Sequence, residues 1–279
     1  MISAKVICDS LWKQRLTTME LEYPRFIHSQ FMTHRMFSRN ASSSRAIPTA
    51  KLIERVRRSP VMPSDWLENK PGMQGGQPLD FGTQGVLEAL WRKGAGDAAD
   101  TAEQMLQMGV HKQTVNRILE PYLTIKVLVT ATEWDNFFNL RMHDDAQPEI
   151  QKLAMAMYEA IGTSHPETTD IHMPYSEDLD PCGDLKTNGL ISAARCARVS
   201  YDQFGGGRDI QKDLALGEKL WEAGHLSPFE HQAQGLNADH IWSANFRGWQ
   251  SFRSILTGGR CHFIKPTLAE MNAEEGWEG

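Results

Sequence analysis

The sequence predicts an α+β fold. Three observations carry that prediction: apolar residues alternate near the N-terminus, later stretches carry apolar residues at helical spacing, and segments rich in proline and glycine separate them. At 279 residues, 41% hydrophobic and 23% charged, the chain can bury one large core or two modest ones.

Residues 5–23 read as β structure, because Thr17, Met19, Leu21 and Tyr23 alternate with Thr18, Glu20 and Glu22. Pro24 ends the strand and suits the first turn of a helix over 25–37, whose Phe26, Ile27, Phe31 and Met32 form one face. Gln30, Thr33, His34 and Phe37 share a second face. Prolines and glycines break up 59–85, a lid or a linker. Helices are predicted over 100–119 and 126–161, interrupted by Pro121, with Trp134, Phe137, Phe138 and Leu140 on the apolar side of the second. A loop over 162–186 precedes an Ala-rich helix through Ala193, Ala194, Ala197 and Val199. The run Gly205-Gly206-Gly207 lacks the spacing of a dinucleotide or Walker loop and reads as a flexible hairpin. Helices over 210–223 and 242–256 complete the pattern, and the acidic tail after Met271 frays.

A net charge of -6 and a pI near 5.9 argue against a polymeric nucleic-acid partner, while leaving room for a basic pocket that holds one nucleotide. No apolar run is long enough to span a bilayer and the N-terminus lacks the zones of a secretion signal, so no membrane association and a cytoplasmic location are expected. Cys8, Cys182, Cys196 and Cys261 form no Cys-x-x-Cys pair. Reduced thiols are therefore expected, with neither a disulfide framework nor a zinc or other metal site.

The densest chemistry lies in Thr33-His34-Arg35-Met36-Phe37-Ser38-Arg39-Asn40-Ala41-Ser42-Ser43-Ser44-Arg45, where guanidinium forks, hydroxyls and an amide crowd together. Such donors suit a phosphate; the alternative is a solvated, serine-rich turn that ends a helix. In order, the segment resembles the signature of the flavin-dependent thymidylate synthase (ThyX) family, Arg-His-Arg-x-x-Ser-x-Asn-x-x-Ser-x-Arg. It is matched at His34, Arg35, Ser38, Asn40, Ser43 and Arg45, with Thr33 in place of the first arginine. Asn136, Asn139, Leu140 and Arg141, then Ala146, Gln147, Glu149 and Ile150, resemble the family's Asn-x-x-Asn-Leu-Arg-x-x-x-x-Ala-Gln-x-Glu-Ile helix. Val115-Asn116-Arg117-Ile118-Leu119-Glu120-Pro121 resembles its Ala-Arg-x-x-Leu-Pro segment. The family's Ala-Ala-Arg-Val-Ser and Gly-His-x-Ser-Pro-Phe-Glu-His elements, which precede the signature loop elsewhere, are echoed here after it. They stand at residues 194–201 and at Gly224-His225-Leu226-Ser227-Pro228-Phe229-Glu230-His231. This order implies one circularly permuted domain over 1–279, with partial duplication as the alternative because Asn245-Phe246-Arg247 through Arg253 echoes the helix before the signature. Arg247 and Arg253 otherwise read as a solvated helix face.

The resemblance implies a mixed fold with long central helices packed on an antiparallel sheet. It also implies a reaction, reductive methylation of deoxyuridylate (dUMP) to thymidylate (dTMP) with FAD, NADPH and 5,10-methylenetetrahydrofolate, in a homotetramer whose sites are built from several subunits. Ser43 and Arg45, with Gln30 and Arg117, would bind the nucleotide, and Arg141 would stabilise charge on the pyrimidine edge. By itself Arg141 also reads as a helix salt bridge to Asp144 or Asp145. His34, Arg35, Ser38, Asn40 and Asn136 would bind the flavin, and His225 and Ser227 would lie near the flavin or folate; Glu230 also reads as a helix cap. No covalent cysteine is needed, although Cys182 or Cys261 would be the nominees for one. Thr33, Ala41, Ala46, Thr130, Thr132 and Asp145 depart from the family pattern. Asp145 opens an alternative, methylation or hydroxymethylation of dUMP or dCMP, and a non-catalytic nucleotide- or flavin-binding protein is a second.

Overall fold

The computed structural model of the chain describes residues 2–258, so Cys261 and the tail after Met271 lie outside the described residues. The predicted β region is two strands, β1 (Ser3–Leu11) and β2 (Arg15–Pro24), folded back on each other. A 3-10 turn (Arg25–Ile27), helix α1 (His28–Met32), strand β3 (Ser38–Ala41) and helices α2 (Thr49–Arg58), α3 (Phe81–Gln107) and α4 (Lys112–Leu119) follow. Strand β4 (Thr124–Ala131) then leads to α5 (Asp135–Arg141) and α6 (Pro148–Thr163). The last part holds β5 (Glu167–Thr168), β6 (Ile171–His172), α7 (Leu185–Ala197), α8 (Ile210–Glu222), β7 (Ala233–Gly235), β8 (Trp242–Ser243), β9 (Phe246–Arg247), β10 (Trp249–Ser251) and α9 (Phe252–Leu256).

The main sheet has the order β3-β4-β2-β1-β5 and is antiparallel except between β1 and β5. Alternation along β2 and β4 gives it two faces. Met19, Leu21, Tyr23, Ile125, Val127 and Val129 pack on one side with Phe31 of α1, Phe137 of α5 and Ile150, Leu153 and Met157 of α6. Leu128 points the other way, into a cluster with Tyr175, Cys196 and Val199. The α+β class with helices on an antiparallel sheet therefore holds.

Several element boundaries differ from the sequence reading. Residues 124–131, expected within a helix, form the central strand because Val127, Leu128, Val129, Thr130 and Ala131 are buried on both faces; a continuous apolar run carries no period that separates strand from helix. The expected helix over 126–161 is thus only α5 and α6, parted at residues 142–147. The helix expected over 25–37 stops at Met32, where the Arg39 guanidinium donates to the carbonyls of Phe31, Met32 and His34. Helix α3 begins at Phe81 rather than near residue 100, its first turn capped by Asp80, so Gly82 and Gly85 lie inside a helix and not in the loop. The glycine run at 205–207 joins a 3-10 turn (Arg198–Tyr201) to α8 without flanking strands. Residues 242–251 form short strands instead of a helix, and only α9 is helical there. The segment 162–186 holds the two-residue strands β5 and β6.

Helices α7 and α8 pack at close range because Gly217 has no side chain: a Cβ there would lie 2.3 Å from the Leu190 carbonyl oxygen. Between them Arg195 and Asp213, both fully buried, pair through Nε and Oδ2 at 2.8 Å. Arg195 also holds Asp178 and the Tyr175 carbonyl, and Arg198 takes the other oxygen of Asp213. Removing one partner strands buried charge. Asp213→Asn is expected to lower unfolding free energy by about 3–5 kcal/mol in urea titrations. Arg57→Met, at the exposed pairs with Asp100 and Glu103, should leave the urea midpoint nearly unchanged.

Candidate functional site

The segment 38–45 leaves the sheet edge as β3 and continues into a 3-10 turn (Ser44–Ala46). Its residues divide between anchoring and display. Ser42 exchanges hydrogen bonds with Lys126 of β4, its backbone NH donating to the carbonyl at 2.8 Å and its Oγ accepting from the Lys126 NH at 3.2 Å. Ser44 Oγ donates to Glu120 Oε1 at 2.6 Å, and its carbonyl accepts from the buried Asn116 amide at 2.7 Å. Ser43 is held through its backbone, its NH donating to the Ser200 carbonyl at 3.0 Å and its carbonyl accepting from the Ala46 NH at 2.9 Å. Its hydroxyl and the exposed Arg45 side chain are left at a cleft of about 600 Å³.

That cleft gathers residues from four places in the chain. Asn40, Ser43 and Arg45 form one wall, and His111, Lys112 and Gln113 at the start of α4 form another. Arg198, Ser200 and Tyr201 follow α7, and His225, Ser227 and Pro228 close the end. The Asn40 amide, oriented by its hydrogen-bonding surroundings, donates to the carbonyl and hydroxyl of Ser227, both at 3.2 Å. The late Arg-Val-Ser and Ser-Pro-Phe-Glu-His elements are thereby packed against the early loop.

A second group forms beneath the end of α5. Arg141 donates from Nε to His34 Nε2 at 2.9 Å and from Nη2 to Thr33 Oγ1 at 3.2 Å. It pairs with neither Asp144 nor Asp145; Asp145 is exposed and sits against His143. Burial, and then the charges of Arg141 and Arg39, push the His34 imidazole down to about 4, which keeps Nε2 free to accept. Gln30 donates to Gln147, which donates in turn to the buried Glu149.

Other expected residues are dispersed. Arg117 is exposed and donates to Glu120, a carboxylate that also takes Ser44 and Arg25. Arg35 and Asn136 are exposed, and Ser38 is buried within 3.4 Å of the Asn245 amide. Cys182 is exposed on a turn closed by Asp180, and Cys8 and Cys196 are pushed up by burial, Cys8 to about 12. Glu230 pairs with Arg253 and Arg247 pairs with Glu133, so neither arginine lies on a solvated helix face.

Sequence reasoning missed Lys112 and Arg198 at the cleft, and it missed a buried polar chain across the sheet. In that chain Ser10, His172, Thr18, Thr130 and His231 are joined in line by contacts of 2.7–2.9 Å. Thr130, one of the departures from the family pattern, joins Thr18 to His231 in it.

A family model described as thymidylate synthase complementing protein matches residues 8–167, which include the 33–45 and 136–150 segments and end before 194–231. No curated protein matches the chain. Among solved structures it is similar to a UMP/dUMP methylase PolB from Streptomyces cacaoi bound with 5-Br UMP, at TM-score 0.45 and 16% identity, over 58% of this chain and 89% of that one. The same methylase bound with 5-Br dUMP gives TM-score 0.42 and 20% identity over 53% and 67%. Thymidylate Synthase X from Helicobacter pylori with FAD and dUMP gives 0.37 and 17% over 52% and 67%.

Burial holds His172 and His231 down to about 3, so the folded protein keeps both rings neutral while the unfolded chain protonates near 6.5. The unfolded state then binds more protons, and stability rises with pH. Unfolding free energy is expected to be fully present above 6.5 and to fall as pH drops toward about 3. Urea titrations across that window check it, and His231→Gln should flatten the slope.

Proposed function

The chain belongs to the thymidylate synthase complementing protein family, and from that premise we propose that it is a flavin-dependent thymidylate synthase converting deoxyuridylate to thymidylate. The observation that carries the reading is the division of labour in the 38–45 segment. Ser42 and Ser44 are spent on anchoring, and Ser43 and Arg45 are left free at a cleft of nucleotide size. A hydroxyl and a guanidinium held on a rigid loop suit a phosphate monoester.

Arg141 takes the pyrimidine edge in this reading. Its guanidinium, oriented by neutral His34 and by Thr33, would stabilise negative charge on the ring and so make C5 the better nucleophile. Gln30 and Arg117 would assist in holding the nucleotide, Arg117 after leaving Glu120. Gln30, His34 and Arg141 do not line the cleft of Ser43 and Arg45, which supports a site completed by a second copy in a homotetramer.

The donors fit a diphosphate-bearing flavin: Arg35 and Asn136 are exposed, and Asn40, His225 and Ser227 share the cleft. When bound, FAD with NADPH and 5,10-methylenetetrahydrofolate would supply the hydride and the one-carbon unit. The protein's own residues bind, orient and exclude water. We take 1–279 as one permuted domain, supported by the contacts of Ser43 with Ser200 and of Asn40 with Ser227. The echo at 245–253 is a pair of short strands and α9, which speaks against a duplicated helix. A cytoplasmic location goes with that substrate, and among the described residues no helix is long and apolar enough to cross a membrane. Asp145 is exposed beside His143 and open to a ligand, so a cytosine nucleotide is the second substrate to test.

Anaerobic incubation of the flavin-loaded protein with NADPH, methylenetetrahydrofolate and deoxyuridylate should give thymidylate by mass spectrometry. A hydroxymethyl product or unchanged nucleotide would reject the reading. Arg45→Met is expected to lower kcat/KM for deoxyuridylate by about 10- to 100-fold, the loss of one charge-assisted phosphate contact.

A further inference from the structure

The chain carries a net charge of -6, yet no carboxylate lines the cleft at Ser43. Its cations are Arg45, Lys112 and Arg198. Arg198 is already committed: Nη1 donates to the Gly205 and Gly207 carbonyls at 2.7 and 2.9 Å, and Nη2 to Asp213. Arg45 and Lys112 are not. Among the described residues neither has a carboxylate within ion-pair distance. The Lys112 ammonium, on a half-buried side chain, makes one long contact, 3.4 Å to the carbonyl of Ala46, the residue next to Arg45. Two cations without counterions thus line one cleft, from segments packed against each other.

The cleft on the other side of the loop behaves differently. It is lined by Arg25, Arg55, Arg58 and Lys126, but Arg25 pairs with Glu120, Arg55 and Lys126 pair with Asp202, and Arg58 reaches Glu54. Its charge is compensated from within. Of these two clefts the one at Ser43 has unpaired cationic capacity, and a phosphate dianion is the ligand that would use it.

We infer that Lys112 is a substrate-binding residue, donating from its ammonium to the phosphate that Ser43 and Arg45 hold. Arg117, one and a half turns further along α4, is engaged by Glu120. Lys112 instead leads α4 at its N-terminal end, where the helix dipole adds to the attraction for an anion. The inference rests on the nucleotide reading above and names the cation that reading lacked.

Calorimetric titration of the full-length protein with deoxyuridylate and with deoxyuridine tests it. Lys112→Met should weaken deoxyuridylate binding about tenfold and leave deoxyuridine binding unchanged, because only the phosphate is lost to it. Lys112→Arg should recover most of the affinity. Lys112→Gln serves as a second neutral variant, with a thermal melt to establish that each variant is folded. Equal affinity of wild type and Lys112→Met for deoxyuridylate would overturn the assignment. So would an equal loss for both ligands, which would mark Lys112 as structural. Wild-type protein that binds neither ligand would overturn the nucleotide reading and Lys112 with it.

Discussion

Strand β4 is hydrogen-bonded along both edges and buried on both faces, and the candidate site hangs from it. On one edge it pairs with β2 over its whole length, and on the other Ser38, Arg39, Asn40 and Ala41 add β3 in register with Thr130 to Val127. Register at this edge decides which residues of the loop are displayed, since a slip of one residue would exchange the faces of β3. The same strand offers the Lys126 backbone to Ser42, which fixes the loop as it leaves the sheet. Displaying Ser43 and Arg45 is therefore a consequence of how β4 is held.

Both faces of β4 must be satisfied, and they are satisfied differently. Val127 and Val129 enter an apolar cluster with Phe31 and Phe137, while Thr130 on the opposite face enters the line of histidines and threonines. A buried imidazole without partners would be costly, and the three inner members, His172, Thr18 and Thr130, each bridge two neighbours. Threonine at position 130 fits this arrangement because a hydroxyl both donates and accepts within one short side chain. His231 Nε2, at the end of the line, has no partner.

The legible parts of the sequence were those with a period or an order. The alternation over Thr17 to Tyr23 reads directly as β2, and the order of groups from His34 to Arg45 marks the loop before any fold is known. The strand β4 was not legible, because burial on both faces erases the alternation that a half-exposed strand displays. Helix α3 was hidden by Gly82, Gly85, Gly94 and Gly96, which are tolerated where the helix is exposed or packed against a neighbour; at Gly94 a Cβ would lie 2.9 Å from the Tyr122 hydroxyl. Lys112 was illegible for another reason. Its neighbours at the cleft, Arg45 and Ser227, lie far from it in sequence, and only packing brings α4 against the loop.

In the proposed site the loop from β3 presents its free donors to a nucleotide phosphate. A crystal structure of the protein soaked with deoxyuridylate tests this most directly. The phosphate is expected within hydrogen-bond distance of Ser43 Oγ and the Arg45 guanidinium, on the side of the loop facing Lys112. A phosphate lodged instead among Arg25, Arg55 and Lys126 would contradict it, because Ser42 and Ser44, not Ser43, would then be the displayed residues.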